Sequence, residues 1–330
     1  MDKNKIKEIC QIYGPSSAEG SVSSYIINEI KDYADDYEID TLGNLIAHKK
    51  GNGPKMMLAA HMDQIGLMVN FVDDDGFLRF STIGGFSPYV LFNQRVRFEN
   101  GVQGVIHCER LQDMAKDLAI DKLYIDIGAK NKEEAEKLVR AGDICVYSAE
   151  TYFNGDVVVS PALDDRIGCY IQMETLKQLK NPAYDTYFVF TVQEEVGLRG
   201  AKTSAYAVDP DYGIAYDVTL AYDTPNALKF PMKMGEGAAI KIKDNSLICH
   251  PTIVKHMEKV AKENNIKHQF EILTAGGTDS GAIHLTKSGV PSGVISVVTR
   301  HIHSDSEMCS LEDIKACIDL SVKVLETPMN

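Results

Sequence analysis

Acidic and imidazole side chains border several apolar segments of this 330-residue chain, and the first such segment is LAAHMDQIG. The apolar run predicts a buried strand that ends near His61. Asp63 lies two residues further on, so on an extended backbone both side chains point to the same side. A histidine beside a carboxylate can ligate a metal ion, but a histidine at a strand end can equally be a capping or core residue. This segment alone leaves both interpretations open.

The segment SPALDDRIGCY places Asp164 and Asp165 at the start of a predicted helix. Aspartate is favoured at this position because its carboxylate caps the helix N-terminus. Two adjacent carboxylates beside an apolar segment, however, need a compensating cation if both are buried. The pair therefore indicates either a capped helix or a cation site.

Glu194 and Glu195 follow an apolar strand in TYFVFTVQEEVGLRGA, directly before a glycine turn and a helix. Open α/β sheets bind ligands outside the carboxyl ends of their strands, which makes this pair a candidate functional site. Successive side chains of an extended chain diverge, so we expect the two carboxylates to have different roles.

Two further apolar strands end in candidate side chains, Asp217 in YGIAYDVT and His303 in GVISVVTRHIHS. Each alone could be an ordinary polar strand end, but together the segments collect two imidazoles and several carboxylates at one sheet edge. The six side chains are His61, Asp164, Glu194, Glu195, Asp217 and His303. A nitrogen and oxygen ligand set without thiolate suits Zn, Co, Mn or a similar divalent ion. Two ions about 3.5–4 Å apart, bridged by a carboxylate and a water, would use the whole set and leave one glutamate as general base.

The elements that must position these residues follow an α/β pattern. Apolar spacing predicts helices over 20–34, 164–179, 251–263 and 310–325, and buried strands over 56–60, 186–192, 212–216 and 290–298. This alternation predicts a mostly parallel sheet flanked by helices.

Residues 64–160 differ, because short strand-like segments are separated there by Gly, Asn and Asp, with one short helix near NKEEAEKLVRAG. The predicted organisation is a main domain over 1–63 and 161–330 that carries an inserted β-rich domain over 64–160.

Composition narrows the classes of protein. The chain has 34 Lys and Arg against 47 Asp and Glu, and a net charge of -13 disfavours nucleic acid and anionic membranes as partners. The longest apolar runs are of strand length, which predicts no membrane span, and the first residues show no secretion signal. The seven cysteines contain no C-x-x-C pair, which is typical of reduced thiols. We therefore expect a cytoplasmic protein.

In their order and spacing, LAAHMDQIGLMV, SPALDDRIGCY, VQEEVGLRGA, AYDVT, GGTDSGAIHLTKSGVP and RHIHSDSE resemble metallopeptidase family 42. This family contains the tetrahedral and glutamyl-type aminopeptidases, and some relatives are labelled endoglucanases. The resemblance runs from DTLGNLIAH near residue 40 to SLEDI near residue 314. It implies a zinc-peptidase fold of the phosphorylase/hydrolase type with an inserted, small, β-barrel-like dimerisation domain. It also implies dimers that assemble into a tetrahedral dodecamer.

The resemblance also implies a role for each candidate residue. Asp164 would bridge two metal ions, His61 and Asp217 would complete one site, and Glu195 and His303 would complete the other. Glu194 would be the general base, and Asp63 would support catalysis by hydrogen bonding to the second nitrogen of His61. Within GGTDSGAIH we expect a substrate-binding wall, a tight turn before a helix being the alternative. Its residues are Gly276, Gly277, Thr278 and Asp279.

The implied function is a dinuclear metal-dependent aminopeptidase that hydrolyses N-terminal residues from short peptides with a free N-terminus. Glu194 would deprotonate a metal-bridging water, which attacks the scissile carbonyl. The two divalent ions per chain would be Zn, with Co or Mn as alternatives. Gln64 and His301 depart from the Glu and Tyr that the family often has, which leaves the side-chain preference open. Cations for an acid-selective pocket would come from Lys229, Lys233, Lys241 or Arg300.

Two other functions remain open at this point. The same scaffold could carry a metal-dependent amide deacylase, or the chain could form a non-catalytic oligomeric shell stapled by metal. The presence of Glu194 disfavours the non-catalytic shell, because this residue would have no role as a structural ligand there. The sequence offers no support for a glycosidase. Such an enzyme needs two carboxylates that flank a sugar and no metal pair. Sugar sites also usually offer aromatic platforms, yet the chain contains no Trp.

Overall fold

The computed structural model describes residues 1–329. The helices are α1 (Lys3–Gln11), α2 (Gly20–Ile30), α3 (Pro88–Leu91), α4 (Met114–Asp117), α5 (Lys132–Glu136), α6 (Leu163–Gln178), α7 (Arg199–Val208), α8 (Pro251–Glu263), α9 (Ser280–Ile283) and α10 (Leu311–Glu326), with a short 3-10 helix over Ile120–Lys122. The strands are β1 (Asp36–Ile39), β2 (Leu45–Lys49), β3 (Lys55–His61), β4 (Gly66–Val72), β5 (Leu78–Ile83), β6 (Arg95–Phe98), β7 (Gln103–Cys108), β8 (Leu123–Asp126), β9 (Ile144–Tyr147), β10 (Tyr152–Asn154), β11 (Val157–Ser160), β12 (Asp185–Thr191), β13 (Tyr212–Leu220), β14 (Ala238–Lys243), β15 (His268–Ile272), β16 (Ser292–Arg300) and β17 (Glu307–Ser310).

The larger sheet has 11 strands, in the order β1-β2-β12-β3-β13-β16-β17-β11-β10, and β14 joins β16 to β15. Its four central strands, β12, β3, β13 and β16, are parallel, and most of the flanking pairs are antiparallel. The predicted parallel sheet is thus the centre of a larger mixed sheet. The carboxyl ends of the central strands meet at one edge.

The four predicted helices are α2, α6, α8 and α10, and α2 ends at Ile30 rather than at 34. Helix α6 packs against β13, β3, α10 and α1, so its first turn is held beside the central strands. Its buried Ile167, Tyr170 and Ile171 belong to the main core cluster, which anchors this helix start. No helix within residues 1–329 is long and apolar enough to cross a membrane.

The predicted β-rich insertion contains a closed antiparallel barrel of strands β4-β5-β8-β7-β6-β9. The barrel has its own core, with Leu78, Ile106 and Ile125 fully buried. This confirms an inserted small β-barrel. The predicted limits of 64 and 160 stay a prediction; the barrel strands end at Tyr147, and β10 and β11 pair within the larger sheet.

Candidate metal centre and active site

All six predicted metal-centre side chains line one cavity of ≈ 520 Å³ at the carboxyl edge of the central strands. His61 is the last residue of β3, and Asp164 lies in the first turn of α6. Glu194 and Glu195 follow β12, and His303 follows β16. Asp217 was predicted at a strand end, but β13 continues to Leu220, so this carboxylate projects from within the strand.

The carboxylate of Asp164 lies between the two imidazoles. Its Oδ1 is 3.1 Å from Nε2 of His61, and its Oδ2 is 3.2 Å from Nε2 of His303. Each oxygen is therefore directed to a different histidine, as a carboxylate that bridges two ions requires. The backbone of Asp164 is non-helical, with φ -74° and ψ 109°.

Asp165 has a different, structural role. Its carboxylate accepts hydrogen bonds from the backbone N–H of Gly168, at 3.0 Å, and of His61, at 3.3 Å. The first bond caps the helix, and the second ties the helix start to the end of β3. The helix-capping interpretation therefore applies to Asp165, and Asp164 stays the candidate for a cation site.

Two groups of ligand atoms are close enough to hold an ion, each within 4.8 Å of one another. One is formed by His61, Asp164 and Glu195, and the other by His61, Glu194 and Asp217. Nε2 of His303 lies 3.4 Å from Oε1 of Glu195, which adds the second imidazole to the first group.

Burial and the close approach of like and opposite charges shift the pKa of all six candidate side chains. Burial, followed by repulsion between neighbouring carboxylates, raises the pKa of Glu194 and Asp217 well above the ordinary range. Burial would lower the pKa of His303, but Asp164 and Glu195 raise it to about 12. For Asp164 burial acts in the opposite direction and would raise the pKa, but hydrogen bonds from His303 and His61 hold it well below its usual range. The excess of buried negative charge calls for cations.

The donor set fits divalent ions. It offers imidazole nitrogens and carboxylate oxygens without thiolate, as borderline cations such as Zn²⁺ prefer. Oε1 of Glu195 is buried and has no hydrogen-bond partner among residues 1–329, so a ligand position is left for an ion. Metal binding would satisfy this oxygen and neutralise the cluster.

Asp63 contacts two segments of the candidate site, His61 at the end of β3 and the Glu194–Glu195 pair after β12. Nδ1 of His61 donates to the backbone carbonyl of Asp63 at 2.9 Å, whereas the carboxylate Oδ1 is 3.5 Å away. The main-chain oxygen therefore holds the proton on Nδ1, so Nε2 is the nitrogen that a metal would bind. The Asp63 carboxylate instead accepts the backbone N–H of Glu194 at 2.9 Å, that of Glu195 at 3.2 Å and the Ser16 hydroxyl at 2.6 Å.

Glu307, which the sequence did not predict as a site residue, also accepts backbone N–H groups of candidate ligands, as Asp63 does. Its Oε2 accepts the backbone N–H of Asp164 at 3.0 Å, and its Oε1 accepts that of His303 at 2.8 Å. Burial, with repulsion from Asp164, raises the pKa of Glu307 to about 8. The available signal was an acidic residue four positions after His303, in RHIHSDSE.

The barrel also contacts the candidate metal centre. Nδ1 of His303 donates to the backbone carbonyl of Gly85 at 2.8 Å, in the loop that follows β5. Gly84 has φ +83°, and a Cβ there would lie 2.9 Å from Oε2 of Glu195. This turn therefore needs glycine both for its backbone conformation and for its close approach to the cluster.

The predicted substrate-binding residues separate into two groups. Gly276 and Gly277 line the cavity. Thr278 and Asp279 are buried behind it, where Asp279 precedes α9 and accepts the Thr191 hydroxyl at 2.5 Å. The segment is thus a cavity wall at its first half and a helix start at its second half.

Comparison with known proteins establishes the class of this molecule. The model of the M42 glutamyl aminopeptidase family matches residues 43–320, so the chain belongs to that family. A putative aminopeptidase of Acetivibrio thermocellus is 51% identical over 97% of this chain and 97% of that protein. A lysyl aminopeptidase of Pyrococcus furiosus is 37% identical over 99% of this chain and 97% of that protein. The family resemblance is confirmed, and the chain is a hydrolase that acts as an aminopeptidase.

Solved structures agree with this assignment. An aminopeptidase from the archaeon Desulfurococcus kamchatkensis is 38% identical with a TM-score of 0.94, over 99% of this chain and 94% of that chain. The TET1 peptidase of Pyrococcus horikoshii, which can assemble into a tetrahedron or a large octahedral shell, is 34% identical with a TM-score of 0.87. That match covers 98% of each chain. The fold is therefore that of the aminopeptidases with an inserted barrel.

Proposed function

We propose that this protein is a dinuclear metal-dependent aminopeptidase that removes N-terminal residues from short peptides. The observation that carries the proposal is the position of Asp164, whose two oxygens face His61 and His303 in the cavity that also contains Glu194. A bridging carboxylate flanked by two imidazoles and two further carboxylates is the arrangement that a pair of divalent ions needs.

In this proposal His61 and Asp217 would hold one ion, Glu195 and His303 would hold the other, and Asp164 would contribute to both sites. Zn²⁺ is the expected ion, with Co²⁺ or Mn²⁺ as alternatives. When bound, the pair of ions would polarise the scissile carbonyl and lower the pKa of a coordinated water.

Glu194 moves the proton. Its carboxylate lines the cavity, and Oε2 lies 3.9 Å from Nε2 of His61, one of the proposed metal ligands. It takes a proton from the attacking water and returns it to the leaving amine. Asp63 holds the backbone of Glu194 in place, so the base approaches the substrate in a fixed orientation.

The test combines substrates, metal and one substitution. Aminoacyl p-nitroanilides are assayed beside their N-acetylated forms, with and without chelator, and metal content is measured on the same samples. We expect hydrolysis of the free amines alone, loss on chelation and recovery with Zn or Co. Release of acetate from the acetylated forms, which by itself frees no p-nitroaniline and is measured separately, would instead favour a deacylase.

Glu194→Gln should retain metal yet lose at least about a hundredfold in kcat, as expected for a general base. Glu133→Gln, whose side chain is 85% exposed on the barrel domain, is the matched control and should keep full activity. Unchanged turnover in Glu194→Gln would remove this residue as the base. A metal-loaded protein inactive on every substrate would leave the non-catalytic shell as the account.

We further propose that the unit over 64–160 mediates dimerisation and that the dimers assemble into a tetrahedral dodecamer in the cytoplasm. The assembly of the related TET1 peptidase supports this proposal. Light scattering of the purified protein tests it, since a dodecamer of 36.4 kDa chains is readily separated from a dimer.

A further inference from the structure

The cavity wall beside the metal centre is apolar. Leu198, Val218, Leu220, Leu273 and Ile302 contribute to it, and the remaining positions are small or uncharged. Within the described part of the chain, the only ionisable side chains that line the cavity are the six of the candidate metal centre. A substrate side chain that enters this cavity therefore meets hydrocarbon on the side away from the metal centre.

Among residues 1–329, no lysine or arginine lines this cavity. Lys241 is buried among carboxylates, and its Nζ lies 3.1 Å from Oδ2 of Asp244 and 2.7 Å from Oε1 of Glu271. Arg300 forms a two-point pair with Asp223, at 2.8 and 2.7 Å. Each of these cations is thus already paired with a carboxylate.

The other two candidate cations are also outside the wall, because Lys229 and Lys233 are exposed elsewhere on the surface. An acidic substrate side chain would therefore enter the cavity without a partner for its charge. A buried charge without a partner is strongly disfavoured.

A basic substrate side chain also finds no free partner. The carboxylates of the wall are Asp164, Glu194, Glu195 and Asp217. In the proposed function three of them bind ions and Glu194 takes the proton, so none remains to pair with a substrate ammonium group. The wall therefore discriminates against charge of either sign.

We propose that the enzyme selects peptides whose N-terminal residue has an uncharged aliphatic side chain, of the size of leucine or methionine. This inference rests on the proposed function, because it assigns the apolar wall to the first residue of an aminopeptidase substrate. Burial of the aliphatic side chain against Leu273 and Val218 provides the binding energy, and a charged side chain loses its hydration without compensation.

The test measures kcat/KM of the metal-loaded protein for Leu-, Met-, Lys- and Glu-p-nitroanilide. We expect Leu and Met to exceed both Lys and Glu by at least about tenfold, since an unpaired charge in an apolar pocket costs more than a missing methylene. Any other ranking, including equal values for all four, would overturn the inference while leaving an aminopeptidase in place. Absence of hydrolysis with all four substrates would overturn the proposed function instead.

A substitution at Leu220 locates the selectivity. This residue lines the cavity and is 41% exposed, so a polar replacement should not unfold the protein. Leu220→Asp should raise the Lys to Leu ratio of kcat/KM by about tenfold relative to Leu220→Asn, which has the same shape without the charge. Equal ratios for the two variants would show that the substrate side chain does not reach this wall.

Discussion

The carboxylate of Glu307 accepts the backbone N–H of Asp164 at 3.0 Å, and through its other oxygen it also holds the backbone of His303. Glu307 begins β17, Asp164 lies at the start of α6, and His303 follows β16. One buried side chain thus sets the distance between the proposed bridging ligand and one of the imidazoles. Asp63 does the same for the adjacent Glu194 and Glu195.

Glu307→Gln should weaken metal binding on the His303 side. A glutamine can direct one oxygen to a backbone N–H, but its NH₂ group then faces the other N–H. We expect metal affinity or activity to fall by about 10–100-fold, as is typical for residues that orient metal ligands. Metal content after dialysis measures this, with the exposed Glu312→Gln as control. Equal metal retention and activity in the two variants would contradict the positioning role.

Asp63→Asn should impair turnover more than binding. The change leaves one acceptor oxygen where the carboxylate now serves Glu194, Glu195 and Ser16. We expect kcat to fall by about 10–100-fold with a nearly unchanged KM. Asp121→Asn, at a side chain that is 76% exposed, is the control. A raised KM with normal kcat would indicate that Asp63 contributes to substrate binding instead.

Metal binding should release protons. Burial would lower the pKa of His303, but Asp164 and Glu195 raise it to about 12. Burial would also lower the pKa of His61, but the neighbouring carboxylates of Glu194, Asp164 and Asp63 raise it well above its ordinary value. Both imidazoles of the metal-free protein are therefore protonated near neutral pH, and a metal must displace these protons. Apparent affinity should fall as pH falls. Calorimetry in two buffers of different ionisation enthalpy should show at least one proton released per chain, and a heat independent of the buffer would contradict this.

Gln64→Glu should stabilise the fold. Arg166 is fully buried and donates to the backbone carbonyls of Met62 and Gly14 and to Oε1 of Gln64, at 3.2 Å. Burial lowers the pKa of this guanidinium. A carboxylate at position 64 would pair with the charge, so we expect the free energy of unfolding to rise by about 1 kcal/mol. Urea denaturation measures it, and an unchanged or lower value would show that the desolvation cost of Glu outweighs the pairing.

The sequence predicts that the six candidate side chains meet at one sheet edge because each lies next to an apolar run whose burial is readable, and parallel strands bring their carboxyl ends together. Glu307 escapes such reasoning, since its role depends on backbone N–H groups of two segments that only the tertiary fold brings near. The strands β14 and β15 escape it for another reason. Lys241 and Glu271 are buried as a pair there, which interrupts the apolar pattern that predicts a strand.

Crystals of the zinc-loaded protein, measured at the zinc absorption edge, would show in an anomalous difference map whether Asp164 bridges two ions. We expect two peaks about 3.5–4 Å apart, one beside His61 and Asp217 and the other beside Glu195 and His303. A single peak, or two peaks that Asp164 does not bridge, would rule out the proposed dinuclear centre.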